Sequence, residues 1–452
     1  DDGFTLCAAC CDSAGDADFC ADDDATCAGC VDAGGTIGET CNGADDDCDG
    51  AVDDGFSLGV PCDGPDADLC AEGTFACDGS GGSACNDTTA DAIETCNGID
   101  DDCDGVVDEG LVTVRSGTCA IASGSSWASC AITPALGDMS RSFLVFGAAS
   151  DNDTPNSSNV RCRLASAASI VCERNGTTGA IGIGWQTAEF CAGIAVQHLE
   201  PGCGGSVTNV GITPVADTAA TFLLTSAERD GVIQSNDDFR TTRLTSVSNV
   251  EIQFASGGCG ADQTALQVVQ WSGASVTRGL AGPVPAGTTA YAVPSLAPVD
   301  ESRTILLYSY RSNAGGTDMC ERMLRGEISG PTSIAFSRGN GAAGCASEAI
   351  DAVAWERVEF PVGTFVQEVA ATMAAGEYLA SVAIAPVDPL RTIVLSGGQW
   401  TSGQSIGEGS YGANDVIGAM IGVHALTAAT TLSVVRGSSA GTARFTSYVV
   451  EF

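Results

Sequence analysis

From residue 111 onward, apolar and polar positions alternate with a period of two over short runs, the pattern of half-buried β-strands. Arg141-Ser-Phe-Leu-Val-Phe146, Ala220-Thr-Phe-Leu-Leu224, Arg303-Thr-Ile-Leu-Leu307 and Arg391-Thr-Ile-Val-Leu395 are corresponding runs, each a few residues after a proline corner at Pro134, Pro214, Pro298 or Pro386. Later strands recur too, as in Ser333-Ile-Ala-Phe-Ser-Arg338 and Thr431-Leu-Ser-Val-Val-Arg436, and each copy closes on a strand such as Val353-Ala-Trp-Glu-Arg-Val-Glu-Phe360. Clusters of Gly, Asn, Asp and Ser between the runs supply turns. No segment carries a convincing helical period. The expected fold is mainly β, with four tandem antiparallel β-sandwich-like repeats at 111–192, 193–273, 274–361 and 362–452. Beads on a string is the simplest arrangement, and a closed arrangement of paired repeats is the alternative.

Residues 1–110 break this pattern. They hold 30 of the 58 acidic residues, none of the 18 basic ones and 14 of the 23 cysteines. With only Phe4, Phe19, Phe56, Phe75 and scattered aliphatics for a core, hydrophobic burial alone does not hold such a segment, so disulfides and metals are expected to do so. Within it Glu39-Thr-Cys-Asn-Gly-Ala-Asp-Asp-Asp-Cys-Asp-Gly-Ala-Val-Asp-Asp-Gly55 is repeated almost unchanged from Glu94 to Gly110. The opening Asp1-Asp-Gly-Phe-Thr-Leu6 matches Asp53-Asp-Gly-Phe-Ser-Leu58, the tail of the same motif, so the natural polypeptide is expected to extend further or to be cleaved within a repeat.

Alternating aspartates ahead of a glycine suit Ca²⁺, which takes six to eight hard oxygen ligands around a tight turn. Asp45, Asp47 and Asp49 fall at loop positions one, three and five, Gly50 at six, the Ala51 carbonyl at seven and Asp53 at nine. The second copy offers Asp100, Asp102, Asp104, Gly105, the Val106 carbonyl and Asp108. The twelfth position fails the EF-hand pattern, because Phe56 and Leu111 supply no carboxylate. Asn42, Asp54, Asn97 and Glu109 are nearby substitutes. Carboxylates this close repel one another unless a cation lies among them. The motif resembles the MopE-type metal-binding repeat of bacterial surface and secreted proteins, over Glu39–Gly55, Glu94–Gly110 and the Asp1 stub only. That resemblance implies a secreted, metal-binding segment. Copper prefers imidazole and sulfur ligands, and this segment has neither His nor Met, so calcium is the expected ion.

The net charge of −40, with every basic residue an Arg, disfavours nucleic acid and anionic membranes and favours cations. So many cysteines in short spacings point outside the cytosol. Local bridges Cys41–Cys48 and Cys96–Cys103 are favoured, with Cys119–Cys130, Cys162–Cys172, Cys191–Cys203 and Cys320–Cys345 inside repeats. Cys259 is then left over, as an intersubunit bridge or a buried thiol. No run of about 18 apolar residues spans a membrane.

Catalytic signals are weak. Gly403-Gln-Ser-Ile-Gly407 and Gly407-Glu-Gly-Ser-Tyr-Gly412 match nucleophile and dinucleotide patterns without strand-turn-helix context. His198 and His424 are the only histidines and read as packed or surface residues, so no catalytic residue is assigned and no enzyme is expected. The leading expectation is an extracellular structural protein: a self-associating fibre subunit, a stalk, or an adhesin attached to a cell surface. The alternatives are a carbohydrate-binding surface module, which needs exposed Trp127, Trp185, Trp271, Trp355 and Trp400, or a secreted metal-binding protein. Sequons at Asn86, Asn152, Asn156 and Asn175 make glycan attachment a further expectation, above all on the 152–159 loop.

Overall fold

In the computed structural model the described residues are 39–44, 51–66, 68–96, 99–103, 105, 108, 111–152, 154–202, 204–231, 238–255, 259–312, 323–338, 349–396, 404–405, 417–439 and 441–452. The chain forms two compact units, Asp1–Glu109 and Gly110–Phe452. The first has one small antiparallel sheet, of strands Pro61–Cys62, Gly73–Cys77 and Ser83–Cys85. Disulfides Cys41–Cys77, Cys62–Cys85 and Cys70–Cys103 hold its segments together. Cys41 and Cys103 therefore bridge to the sheet and its approach, and not across their own acidic loops as the sequence favoured. A loop bridge fixes only a few residues, whereas these close loops of 36 and 33 residues and so restrict far more of the unfolded chain.

The second unit is mainly β, as expected. Its first repeat has six strands: Val112–Ile121, Trp127–Ala131, Ser142–Ser150, Arg161–Ser166, Ser169–Glu173 and Ile181–Phe190. They form two three-stranded antiparallel sheets, ordered first-sixth-third and second-fifth-fourth. The second repeat copies this with Ile194–Leu199, Val207–Gly211, Thr221–Ala227, Arg240–Ser246, Asn249–Phe254 and Thr264–Trp271. The third uses Ser275–Ala281, Ala290–Val293, Thr304–Arg311, Arg325–Gly330, Ser333–Ser337 and Ala352–Glu359. The fourth uses Phe365–Met373, Leu379–Ala383, Thr392–Ser396, Gly422–Ala428, Thr431–Arg436 and Ala443–Glu451, with a short strand Gln404–Ser405 beside the last. Before each third strand an aspartate (Asp138, Asp217, Asp300, Asp388) turns the chain. Its carbonyl accepts the hydroxyl of Ser142, Thr221, Thr304 or Thr392 at 2.5–2.6 Å.

The repeats are not beads on a string. They close into a ring around one shared core, because every sixth strand ends in, or is followed at once by, an aromatic residue directed at a common axis. Phe190 lies 4.8 Å from Trp271 and 5.1 Å from Phe452, and Trp271 lies 5.2 Å from Phe360. Phe360 and Phe452 are 6.1 Å apart, which completes the circuit from the fourth repeat back to the first. Phe143, Phe222, Ile305 and Ile393 of the third strands bury against this hub.

The residue four places before each closing aromatic seals a seam between neighbours. Gln267 accepts the Leu144 N–H and donates to the Leu144 carbonyl, both at 2.8 Å. Gln186 accepts from Val394 N at 2.7 Å and donates to the Thr392 carbonyl at 3.1 Å. In the third repeat the position holds Glu356, which accepts from Leu223 N at 2.9 Å but has nothing to donate. Arg278, 3.0 Å from its carboxylate, makes up the deficit by donating to the Thr218 and Thr221 carbonyls. Tyr448 fills the fourth position, its hydroxyl beside Glu368 and the Leu306 backbone. His198 supports the first seam, its Nε2 3.0 and 3.1 Å from the Met139 and Ser142 carbonyls, so that nitrogen carries the proton. At the seams closed by Gln267, Gln186 and Glu356, an inner strand edge left with bare N–H and C=O groups is thereby satisfied without extending the sheet.

Two further devices recur. Trp185 and Trp355 lie across Gly117 and Gly279 on the facing strand, where an added Cβ would come within 2.5 Å of the indole. Arg174 and Arg436, fully buried, donate to backbone carbonyls: Arg436 reaches Glu377, Ala419, Ala374 and Gly441 at 2.8–3.1 Å. A planar fork with five donors can do this where an ammonium cannot.

Two predictions follow from this packing. Gln267→Leu leaves the Leu144 N–H and C=O unpaired at a buried seam and should cost about 2–6 kcal/mol by denaturant unfolding, taking about 1–3 for each orphaned group. A loss below about 0.5 kcal/mol would show that the seam bond is dispensable. His424 packs on Phe445 with Nδ1 2.7 Å from Ser447 Oγ, and burial pushes its pKa down to about 4. The unfolded chain therefore takes up the proton first as pH falls, so this stabilisation is complete above pH 6.5 and is lost between 6.5 and 4, up to about 3 kcal/mol. The stability difference between wild type and His424→Asn should shrink across that window; a constant difference would refute the linkage.

Candidate metal site

In both acidic motifs the leading glutamate and the late aspartate fix the backbone. Glu39 Oε2 accepts the Asp53 N–H at 3.1 Å, and Glu94 Oε2 accepts the Asp108 N–H at 2.8 Å. Asp53 and Asp108 have φ of 53° and 55°, a left-handed conformation that aspartate tolerates better than most residues. The Asp53 carboxylate turns back on the start of its motif and accepts the N–H groups of Asn42 at 2.8 Å and Gly43 at 3.0 Å. Asn42 Oδ1 in turn accepts Ala44 N at 2.7 Å. These bonds explain why the motif needs Glu, Asn and Gly at fixed distances from its last aspartates. The sequence reading missed Glu39 and Glu94, although their common separation of 14 residues from Asp53 and Asp108 was there to be seen.

The second loop converges. Glu94 Oε1 accepts from Asp101 N at 2.6 Å and Asp102 N at 3.0 Å, which curls the chain around the carboxylate. Asp100 Oδ2 accepts the Gly105 N–H at 3.0 Å, across a turn whose glycine has φ of 93°. Asp100 Oδ1 is shielded from solvent and has no hydrogen-bond partner. Oxygens of Glu94, Asp100 and Asp102 lie within 4.8 Å of one another, a group that could hold a metal ion. A solvent-shielded carboxylate oxygen with nothing to accept is costly, and a cation among these three carboxylates removes that cost. The Cys70–Cys103 bridge and the 2.9 Å bond from Leu69 N to the Asp102 carbonyl hold the loop in place.

Of the expected ligands, Asp45, Asp47, Asp49, Asp104 and Val106 lie outside the described residues. Ala51 is exposed, and Asp53 and Asp108 are buried. Asp100 and Asp102 are brought together, with Glu94 added. A second acidic group, Asp63, Asp66 and Asp68, lies between the motifs. Desolvation, then the charges of Asp68, Asp87 and Asp63, push the Asp66 carboxyl up. Two other groupings do not suit an ion. Cys41 and Cys77 beside Asp53 are consumed by their disulfide. Asp262, near Asp230 and Asp238, already accepts from Arg229 at 3.1 Å and Arg240 at 2.7 Å. Guanidinium groups stand there where a cation would; burial lowers Arg240 to about 9, which leaves it charged at neutral pH.

Other sequence expectations fare unevenly. Cys119–Cys130 and Cys162–Cys172 form as expected, and Cys259 is disulfide-bonded, so it is not a spare thiol. Cys203, Cys320, Cys345, Trp400 and most of the Gly403–Gly412 stretch lie outside the described residues. Trp185, Trp271 and Trp355 are buried and offer no sugar platform, while Trp127 is 59% exposed. Asn152 is buried with its amide donating to Thr178 O at 2.6 Å, so its sequon is closed to glycan attachment; Asn86 and Asn175 are exposed. Among the described residues no helix is long and apolar enough to cross a membrane.

No protein-family model matches the chain, and no curated protein matches it. The disulfides and acidic groups are compatible with an extracellular protein.

Glu94→Ala should open the second loop whether or not metal is present, because three backbone N–H groups lose their acceptor. Limited proteolysis should then cut within 94–110 faster by about tenfold, equivalent to about 1.4 kcal/mol of local opening. Unchanged cleavage would remove Glu94 from its structural role.

Proposed function

We propose that the chain is an extracellular structural protein, a fibre subunit, stalk or surface adhesin, whose acidic unit takes up Ca²⁺. The observation that carries the metal part is Asp100 Oδ1, shielded and unpartnered beside Glu94 and Asp102. An all-carboxylate set is hard, and hard oxygen ligands favour calcium over copper. Asp100 and Asp102 would hold the ion, with Glu94 shaping the turn. Asp104, the Val106 carbonyl and Asp108 would complete the shell, and Asp45, Asp47, Asp49, Ala51 and Asp53 would serve the first copy.

The structural role rests on architecture. Each repeat's inner sheet is committed to the ring, whereas the second strand ends its outer sheet as an edge in all four repeats. Trp127, Val207 and Leu379 are exposed on three of these strands. Uncovered edges accept strands from neighbours, which suits head-to-tail assembly or attachment to a surface partner.

Calorimetric titration of the whole chain with Ca²⁺ tests the metal reading. Binding should be saturable, and Asp100→Asn should weaken the second-loop site at least about tenfold, the loss of about 1.4 kcal/mol. No heat and no effect of EDTA on melting would refute it. Electron microscopy in Ca²⁺ should show filaments, and monomers alone at every concentration would refute the fibre reading.

A further inference from the structure

On the ring axis, beyond the aromatic hub, all four repeats line a cavity of about 90 Å³. Val145, Leu224, Leu307 and Leu395 form part of its wall, one from each third strand. Ser226 and Ser309, farther along two of those strands, also line it. Ser226 Oγ and Ser309 Oγ are already spent across the seams, on Cys162 and Thr242 backbone groups.

Asn159 is the exception. It is 1% exposed, it lines this cavity, and neither Oδ1 nor Nδ2 has a hydrogen-bond partner. Thr242 Oγ1, on the same wall and 7% exposed, is also unpartnered. An amide and a hydroxyl buried in this state forfeit the hydrogen bonds they make in water unless something in the cavity meets them. Asn152, on the other side of the short helix Pro155–Ser158, by contrast donates its amide to the Thr178 carbonyl at 2.6 Å.

The chemistry of the occupant follows from the lining. It must both donate and accept, since Asn159 presents a carbonyl oxygen and an NH₂ group together. It is neutral: among the described residues Glu356 is the only charged side chain on the wall, and it is already held by Arg278 and the Leu223 N–H. It has an apolar flank for the leucines. It is small, since the cavity measures only about 90 Å³. We propose that the axial cavity is a binding site for a vicinal diol, supplied by a free small polyol or by the hydroxylated edge of a glycan. The site is independent of the acidic unit, so its failure would leave the calcium reading standing.

The test is calorimetric titration of the full chain in Ca²⁺ with glycerol and, separately, with methyl glycosides, repeated on Asn159→Leu and Thr242→Val. Saturable binding that weakens at least tenfold in Asn159→Leu and severalfold in Thr242→Val is expected. Glycerol alone binding identifies the free polyol as the source, and glycosides binding as well identifies a glycan edge. Should Asn159→Leu fail to fold, Thr242→Val and the shift of the Asn159 side-chain NH₂ resonance on wild-type titration carry the test. No saturable binding of any diol, with Asn159→Leu at least as stable as wild type, would show a cavity that holds water only and would overturn the proposal.

Discussion

Closure of the ring governs the larger unit. A six-strand repeat of this kind has an inner sheet with two edges and an apolar face, and neither is stable in water alone. Four repeats solve both problems at once. The closing aromatics Phe190, Trp271, Phe360 and Phe452 bury one another on the axis, and at three seams a polar side chain four residues earlier answers the backbone of the preceding repeat around the ring. The arrangement is self-consistent only when the fourth repeat meets the first, so the repeats stabilise one another mutually and not in pairs.

The acidic unit is held by different physics. It lacks the aromatic residues for a hub, and its charges oppose compaction. Disulfides set its chain path, and carboxylates do locally what side-chain packing does elsewhere, by gathering backbone N–H groups around Glu39, Asp53 and Glu94. Such a scaffold concentrates negative charge in a fixed geometry, which is the condition for holding a hard cation. The proposed calcium site is thus a by-product of the way the unit folds without a core.

Much of this was legible in the residues. Period-two alternation located the repeats, and the duplicated motif located the acidic loops. Closure stood only as the alternative to beads on a string, because alternation along a strand reports burial without saying what buries it. Phe190 and Phe452 read alike whether they cap an isolated sandwich or meet across an axis. Gln186 and Gln267 read as polar residues in apolar strands, although their shared spacing from the closing aromatic was a usable signal. Disulfide pairing was misjudged for Cys41 and Cys103, since proximity in sequence carries little weight once a sheet brings Cys77 and Cys70 closer. Asn159 left no sequence trace at all; only burial without a partner distinguishes it.

The central claim is that cohesion is divided, with cations and disulfides in the first unit and a closed apolar hub in the second. Hydrogen exchange resolved to single amides, in Ca²⁺ and in EDTA, tests it most directly. The amides of Asp101, Asp102 and Asp108 should lose protection when the metal is withdrawn, while those of Leu144, Leu223 and Val394 at the ring seams stay protected. Equal protection of the acidic-loop amides in both conditions, or loss at the seams on chelation, would contradict the account.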